Sequence, residues 1–358
     1  PHLLADLVQI SLQNRFSYNP TTHLWYKASK GTFLINPIAP EDFHKTVWDI
    51  FERDCRDLEV KASENNLDEV LGVLKNRLVV KPVKLPEGKI ALQDGSVIDL
   101  KHPTVIGTLD RFVDYYLPVT KDQWLNPPET PLWEKNLSEH SNKEDRMLLE
   151  IMFGFVLSGA NVGTHECCLL IHGPFDSGKT TLIQLLGKFI PEFAINLSIS
   201  NCLSDPVHAG NIVGKRVAIS NEATIKQKDT EKFRSLISGQ EVTVRILYEG
   251  VFSYAHNCVF MAATNEDAWI KATPENVKRI RVVEWKNTIL KPDSHFKERL
   301  ERESAGIIIR CLRAFAPYLY DRIPQNDSTR QFMDRANCNV NRVAAWLNEK
   351  GLVYGLYF

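Results

Sequence analysis

Gly173-Pro174-Phe175-Asp176-Ser177-Gly178-Lys179-Thr180 matches the pattern GxxxxGK[ST] at every fixed position, and its flanks decide how it is read. An apolar run, Cys167–Ile171, leads into it, and a helix-patterned run, Thr181–Phe189, leads away. Strand, glycine loop and helix in that order turn successive backbone N–H groups toward phosphate oxygens, and the helix N-terminus adds partial positive charge. The segment therefore reads as a nucleoside triphosphate site. Gly173, Asp176, Ser177, Gly178, Lys179, Thr180 and Thr181 are its binding residues. Lys179 would reach the β- and γ-phosphates, and the Thr180 hydroxyl would hold Mg²⁺.

Four more short apolar runs follow within about a hundred residues: Phe193–Leu197, Val217–Ser220, Cys258–Thr264 and Ile280–Glu284. Runs of this length, separated by helical or irregular stretches, are what buried parallel strands look like. The expectation is an α/β domain of three layers, built on a parallel five-stranded sheet and spanning 141–290. A helix over Asp145–Leu157, closed by Ser158-Gly159, opens it. Residues 1–140 read as a mixed, mainly helical region, with helices in Leu3–Leu12, Asp42–Asp54 and Leu67–Leu78. A small hairpin is expected around Asp94-Gly95, between Ile90–Leu92 and Val97–Leu100. Asn126–Pro131, with three prolines, is the linker candidate. Residues 291–358 read as a helical segment, with helices over Ser294–Phe315 and Asn341–Glu349.

Composition narrows the classes. In 358 residues, 43 Lys+Arg balance 44 Asp+Glu, which excludes a basic nucleic-acid-coating protein but leaves room for a local basic surface. With 44% hydrophobic and 24% charged residues, the chain is neither disordered nor fibrous. No apolar stretch approaches the ~18 residues of a membrane span, no secretory leader is visible, and a cytoplasmic protein is expected. The seven cysteines form no CxxC, which fits reduced, buried thiols. His165 and Cys168 have ligand-like spacing but no second pair at zinc-site distance, so no metal is assigned to them. The start at Pro1 rather than Met suggests a piece of a longer polypeptide.

Beyond the phosphate loop, three strand ends carry chemistry. Val217–Ser220 leads into Asn221-Glu222, where the glutamate can orient and deprotonate a water attacking the γ-phosphate and can sit at the metal. Asn221 stands where many such motifs place a metal-binding aspartate. Val259–Ala263 ends in Thr264-Asn265, and an amide there can hydrogen-bond both the attacking water and a γ-phosphate oxygen. Lys278-Arg279-Ile280-Arg281 enters the last strand. Arg279 reads as an arginine finger toward a neighbouring subunit, and Arg281 as a solvated base. Between them, Glu241–Asn257 alternates like a hairpin, with Arg245, Tyr248 and His256 offering charge and stacking surface to DNA. Lys232 and Arg234 on the preceding helix could add to it.

In this order the parts resemble a superfamily 3 helicase, and more narrowly the helicase portion of the poxvirus-type primase–helicases of viruses, phages and plasmids. The residues that carry the likeness are GPFDSGKTT (173–181), GKRVAISNE (214–222), FRSLISGQEVTVRILYEG (233–250), VFMAATNE (259–266) and KRIRVVEW (278–285). DGSVIDL (94–100) and LLEIMFGFVLSGAN (148–161) upstream and ERESAGIIIRCLRAF (301–315) downstream extend it. The resemblance implies an AAA+ core, a hexameric ring, dependence on ATP and Mg²⁺, and 3′-to-5′ movement on DNA. It also implies a primase or polymerase domain in the same polypeptide. It makes residues 1–140 a helicase-associated domain. Two other classes remain open on the residues alone: a DNA-binding oligomerisation module with a structural nucleotide, and a P-loop nucleotide kinase.

Overall fold

The computed structural model describes residues 2–12, 15–20, 22–28, 34–58, 61–79, 82–102, 104–220, 229–246, 250–265, 273–289 and 293–340. The chain divides into two compact units, Pro1–Ile98 with Val105–Leu117, and Asp99–Thr104 with Pro118–Phe358. The boundary thus falls before 140, and the helices beyond 290 belong to the same unit as the sheet.

The first unit contains α1 (His2–Leu12), a meander β1 (Phe16–Asn19), β2 (Leu24–Ala28) and β3 (Ile35–Ile38), then α2 (Pro40–Asp57) and α3 (Glu64–Arg77). Apolar side chains at helical spacing close its core: Val8 on α1, Val47 and Phe51 on α2, and Val70 and Leu74 on α3 are fully buried. Trp25 of β2 stacks on Phe43 of α2 at 3.7 Å. β4 (Lys89–Leu92), β5 (Ser96–Asp99), β6 (Thr104–Thr108) and β7 (Tyr116–Leu117) form a second small sheet, in the order β6-β5-β4-β7. The expected turn at Asp94-Gly95 joins β4 to β5, with Gly95 N–H bonded to Leu92 O.

In the second unit come α4 (Lys121–Leu125), α5 (Pro131–His140), α6 (Lys143–Ser158), α7 (Val162–His165), β8 (Cys168–His172) and α8 (Lys179–Phe189). After them run β9 (Ala194–Asn196), α9 (Ile199–Ser204), α10 (Pro206–Gly210), β10 (Val217–Ser220), α11 (Thr230–Ile237), β11 (Glu241–Ile246) and β12 (Gly250–Ala255). The unit closes with β13 (Val259–Thr264), α12 (Pro274–Val277), β14 (Ile280–Glu284), α13 (Phe296–Arg302), α14 (Ser304–Phe315) and α15 (Asp327–Val340). The five apolar runs are the five strands of one sheet, all parallel, in the order β14-β8-β13-β10-β9. β13 is thus inserted between β8 and β10. Helices cover the sheet: α8 packs on β9, β10 and β13, α6 and α15 pack on β14, and α14 lies along α6. This makes an α/β unit with a P-loop-like core.

Two expectations change. Asn126–Pro131 is no linker between units, because Pro128 O presses on Gly306 of α14, where an added Cβ would lie only 2.4 Å away. The helix expected over Ser294–Phe315 breaks at Glu303, whose carboxylate accepts hydrogen bonds from Leu132 N and Trp133 N (both 2.9 Å) and so caps α5 instead. Helix α15 falls within the segment read as helical, in a polar stretch where its buried Phe332, Met333 and Ala336 form only a narrow stripe. The segment Asn341–Glu349 lies outside the described residues. No helix among the described residues is long and apolar enough to cross a membrane.

Candidate functional site

β8 delivers the P-loop-like segment Gly173–Thr180 at the C-terminal end of the sheet, where α/β folds hold their ligands. Gly173 packs against Trp285, whose carbonyl oxygen would lie 2.0 Å from an added Cβ, so no other residue fits. Asp176 (φ 52°) and Gly178 (φ 84°) both take left-handed backbone, which curls the loop into the start of α8. A strap after β14 holds the outside of that curl. Trp285 Nε1–H donates to Ser177 O (2.6 Å), Trp285 N–H to His172 O (2.7 Å) and Ile289 N–H to Asp176 O (2.9 Å). The Trp285 ring stacks on His140 at 4.8 Å. With these carbonyls engaged outside, the loop is braced in its curled form.

A cleft of about 310 Å³ opens above the sheet, lined by residues 175–181 and by Ala263, Thr264 and Asn265. Lys179 lies in it at 7% exposure, donating to Gly173 O (2.9 Å), Pro174 O and Ser177 Oγ (3.2 Å). Burial lowers the pKa of its ammonium, with Asp176 opposing, so an anionic partner in the cleft would stabilise the charge. Thr180 is exposed toward the same space, and Gly173 N–H donates to Thr264 O (3.2 Å), tying β13 to the loop. The register Thr264↔His172 brings Asn265 level with Gly173. The structure thus gathers the loop residues, Thr180, Thr181 and Asn265 around one cleft. Asn221, Glu222 and Tyr248 lie outside the described residues; β10 ends at Ser220, in register with Ala262.

Arg279 stands at the other end of the sheet. Ile280 pairs with Cys168 and Glu284 with His172, so the length of a strand, roughly 13 Å, separates Arg279 from the loop beside it. Its guanidinium donates to Ser238 Oγ (3.1 Å) and Glu275 O (3.0 Å), with Glu166 at 3.7 Å. Arg281 is not the solvated base expected. It is 4% exposed and donates to Ile323 O, Lys278 O and Ile280 O. The hairpin forms as β11 and β12, with Arg245 exposed opposite Val251. His256 is a correction. At 4% exposure, edge-on to Phe260, with Cys258 N–H donating to its Nδ1, it offers no surface for stacking. Burial pulls its pKa down to about 4, so it is neutral. Lys232 is exposed on α11; Arg234 is half-buried there, with Nε enclosed.

Sequence reasoning missed the polar cluster behind the loop. His172 Nδ1 bonds Glu284 Oε2 (2.8 Å), and Arg335 of α15 holds the other Glu284 oxygen. Burial pushes the Glu284 carboxyl up, but these two partners outweigh it and hold it below the usual range. Asp145, fully buried, accepts from Asn142, Ser328, Asn326 and Glu284 N–H, while burial raises its pKa to about 6. Apart from the Asn142–Asp145 pair, residues far apart in sequence build this cluster, so little local signal marks it.

Residues 171–279, under a third of the chain, match the model of a family described as a family of unknown function (DUF5906). No curated protein matches the chain. Among solved structures, an apo structure of the NrS-1 C terminal region is similar at a TM-score of 0.58 and 13% identity, over 95% of this chain and 77% of that one. An A-form apo structure of the same region gives 0.55 and 14%, over 96% and 78%. At such identity the likeness is one of fold: both units of this chain follow the fold of the NrS-1 C terminal region.

Proposed function

We propose that the chain is the ATP-driven motor of a DNA replication protein: a helicase of the superfamily 3, AAA+ type, working as a hexameric ring on DNA with 3′-to-5′ polarity. A primase or polymerase domain in the same polypeptide belongs to this reading. One observation carries it: the phosphate loop and the polar tip of the inserted strand β13 open onto a single cleft. A polar strand tip beside the γ-phosphate position suits an enzyme that orients water there. A kinase, by contrast, must keep water out.

In the cleft Lys179 exchanges the carbonyls it now holds for β- and γ-phosphate oxygens. Thr180, which lines the cleft, would ligate Mg²⁺ through its hydroxyl, and the ion would neutralise phosphate charge. Asn265 orients the attacking water and Glu222 takes its proton. Arg279, a strand's length from its own loop, serves the triphosphate of the adjacent subunit. Arg245 and Lys232 face the polynucleotide, and Tyr248 would add a stacking ring.

Phosphate release measured with and without single-stranded DNA, alongside unwinding of a forked duplex, tests the reading. Wild type should hydrolyse ATP faster with DNA, and Lys179→Ala should lose both activities. ATP binding with no turnover at any DNA length would sink the motor and leave a DNA-binding oligomerisation module. Phosphate transfer to a nucleoside would make it a kinase.

A further inference from the structure

Four elements meet at the N-terminal edge of the sheet, away from the phosphate loop. They are the end of α7, the end of α11, the start of β14, and the segment before α15. Glu166, in left-handed backbone (φ 46°) just past α7, directs one carboxylate oxygen to two guanidiniums: Arg322 Nη2 at 2.8 Å and Arg279 Nη2 at 3.7 Å. Arg234 and Lys278 lie near Glu275, whose carbonyl Arg279 also uses. Arg322, Arg279, Arg234 and Lys278 thus stand with Glu166, Glu275 and the exposed Asp321, and the edge keeps a small positive surplus.

Arg322 is the more available of the two guanidiniums on Glu166, its side chain 62% exposed against 21% for Arg279. Nor is it an untethered surface residue. The buried Arg281 donates Nε and Nη2 to the carbonyl of the next residue, Ile323, and so fixes the backbone of Arg322 to β14 beside Arg279. Burying a guanidinium is costly, and here it is spent on holding this segment.

Resting on the reading above, we propose that Arg322 is a second guanidinium presented in trans, and that this edge docks on the triphosphate held by an adjacent copy's phosphate loop. The occupant is a polyphosphate, because a surplus of planar, bidentate donors is complementary to clustered phosphate oxygens. Shared Glu166 makes the exchange easier. When either arginine turns to the phosphates, the other still neutralises the half-buried Glu166 carboxylate.

The test is steady-state ATP hydrolysis by full-length Arg322→Ala and Arg322→Lys, with binding of a non-hydrolysable ATP analogue measured in parallel. Turnover should fall about 10-fold or more for Arg322→Ala and less for Arg322→Lys, with analogue affinity within about twofold of wild type. Mixing Arg322→Ala with Lys179→Ala should then restore activity, because some interfaces pair an intact loop with an intact edge. Random mixing in equal amounts makes that about a quarter of interfaces. Wild-type turnover in Arg322→Ala, or a mixture no better than the mean of its parts, would overturn the inference. A wild-type protein without turnover would remove the motor reading itself, and this surface with it.

Discussion

Single residues show what burial does to groups that the sequence presents as functional. His165 and His256 are 1% and 4% exposed, and burial lowers the pKa of each to about 4. Their unfolded value is near 6.5, so the unfolded chain takes up the proton first. The stability they allow is complete above about pH 6.5 and is lost as the pH falls toward 4, by roughly 2 kcal/mol for each histidine at pH 5. Asp145, raised to about 6, acts in the opposite direction between about pH 4 and 6. His165 lies between Phe155 (4.4 Å) and Phe315 (5.2 Å), so phenylalanine fits its setting. Urea unfolding of His165→Phe should therefore lose part of the difference between pH 7 and pH 5. An unchanged difference would mean that His165 takes up its proton alike in the folded and the unfolded chain. The sequence displayed both histidines but not their solvent exposure, which long-range neighbours set.

At the scale of elements, helix packing decides what the core tolerates. Gly154 on α6 meets α14 so closely that an added Cβ would lie 2.0 Å from Cys311 O and 2.6 Å from Phe315 Cβ. Gly154→Ala should cost about 2–4 kcal/mol, read as a lower urea midpoint, because neither backbone can give way. Glu303→Ala should cost about 1–2 kcal/mol, since it leaves two N–H groups at the start of α5 without their carboxylate. Glu303→Gln should recover part of that loss. Strand and helix existence was legible here, since Val217–Ser220 and Ile280–Glu284 are strands to the residue. The break at Glu303 was not, because apolar periodicity continues through it while its side chain answers to a helix about 170 residues earlier.

At the scale of the whole molecule, the proposed motor requires copies that act on one another and on DNA. Arg279→Ala should lose hydrolysis by about 100-fold or more while keeping ATP-analogue binding, because its own cleft is untouched. Normal turnover in that variant would place every catalytic group within one subunit. Arg245→Ala should weaken binding to single-stranded DNA and reduce the salt slope by about 0.7, the share of one phosphate contact. A slope equal to that of wild type would take Arg245 off the DNA path.

The sequence by itself determined the curled glycine loop before α8, the five buried strands and the polar end of β13, because each is written in a short stretch whose pattern has few physical readings. Tertiary structure alone decided the strand order, with β13 set between β8 and β10, and the bracing of the loop by Trp285. It also decided which arginines are buried as pins and which stand exposed at the far edge. Such features depend on residues brought together across a hundred or more positions. Burial and pairing across that distance leave no periodicity in the chain.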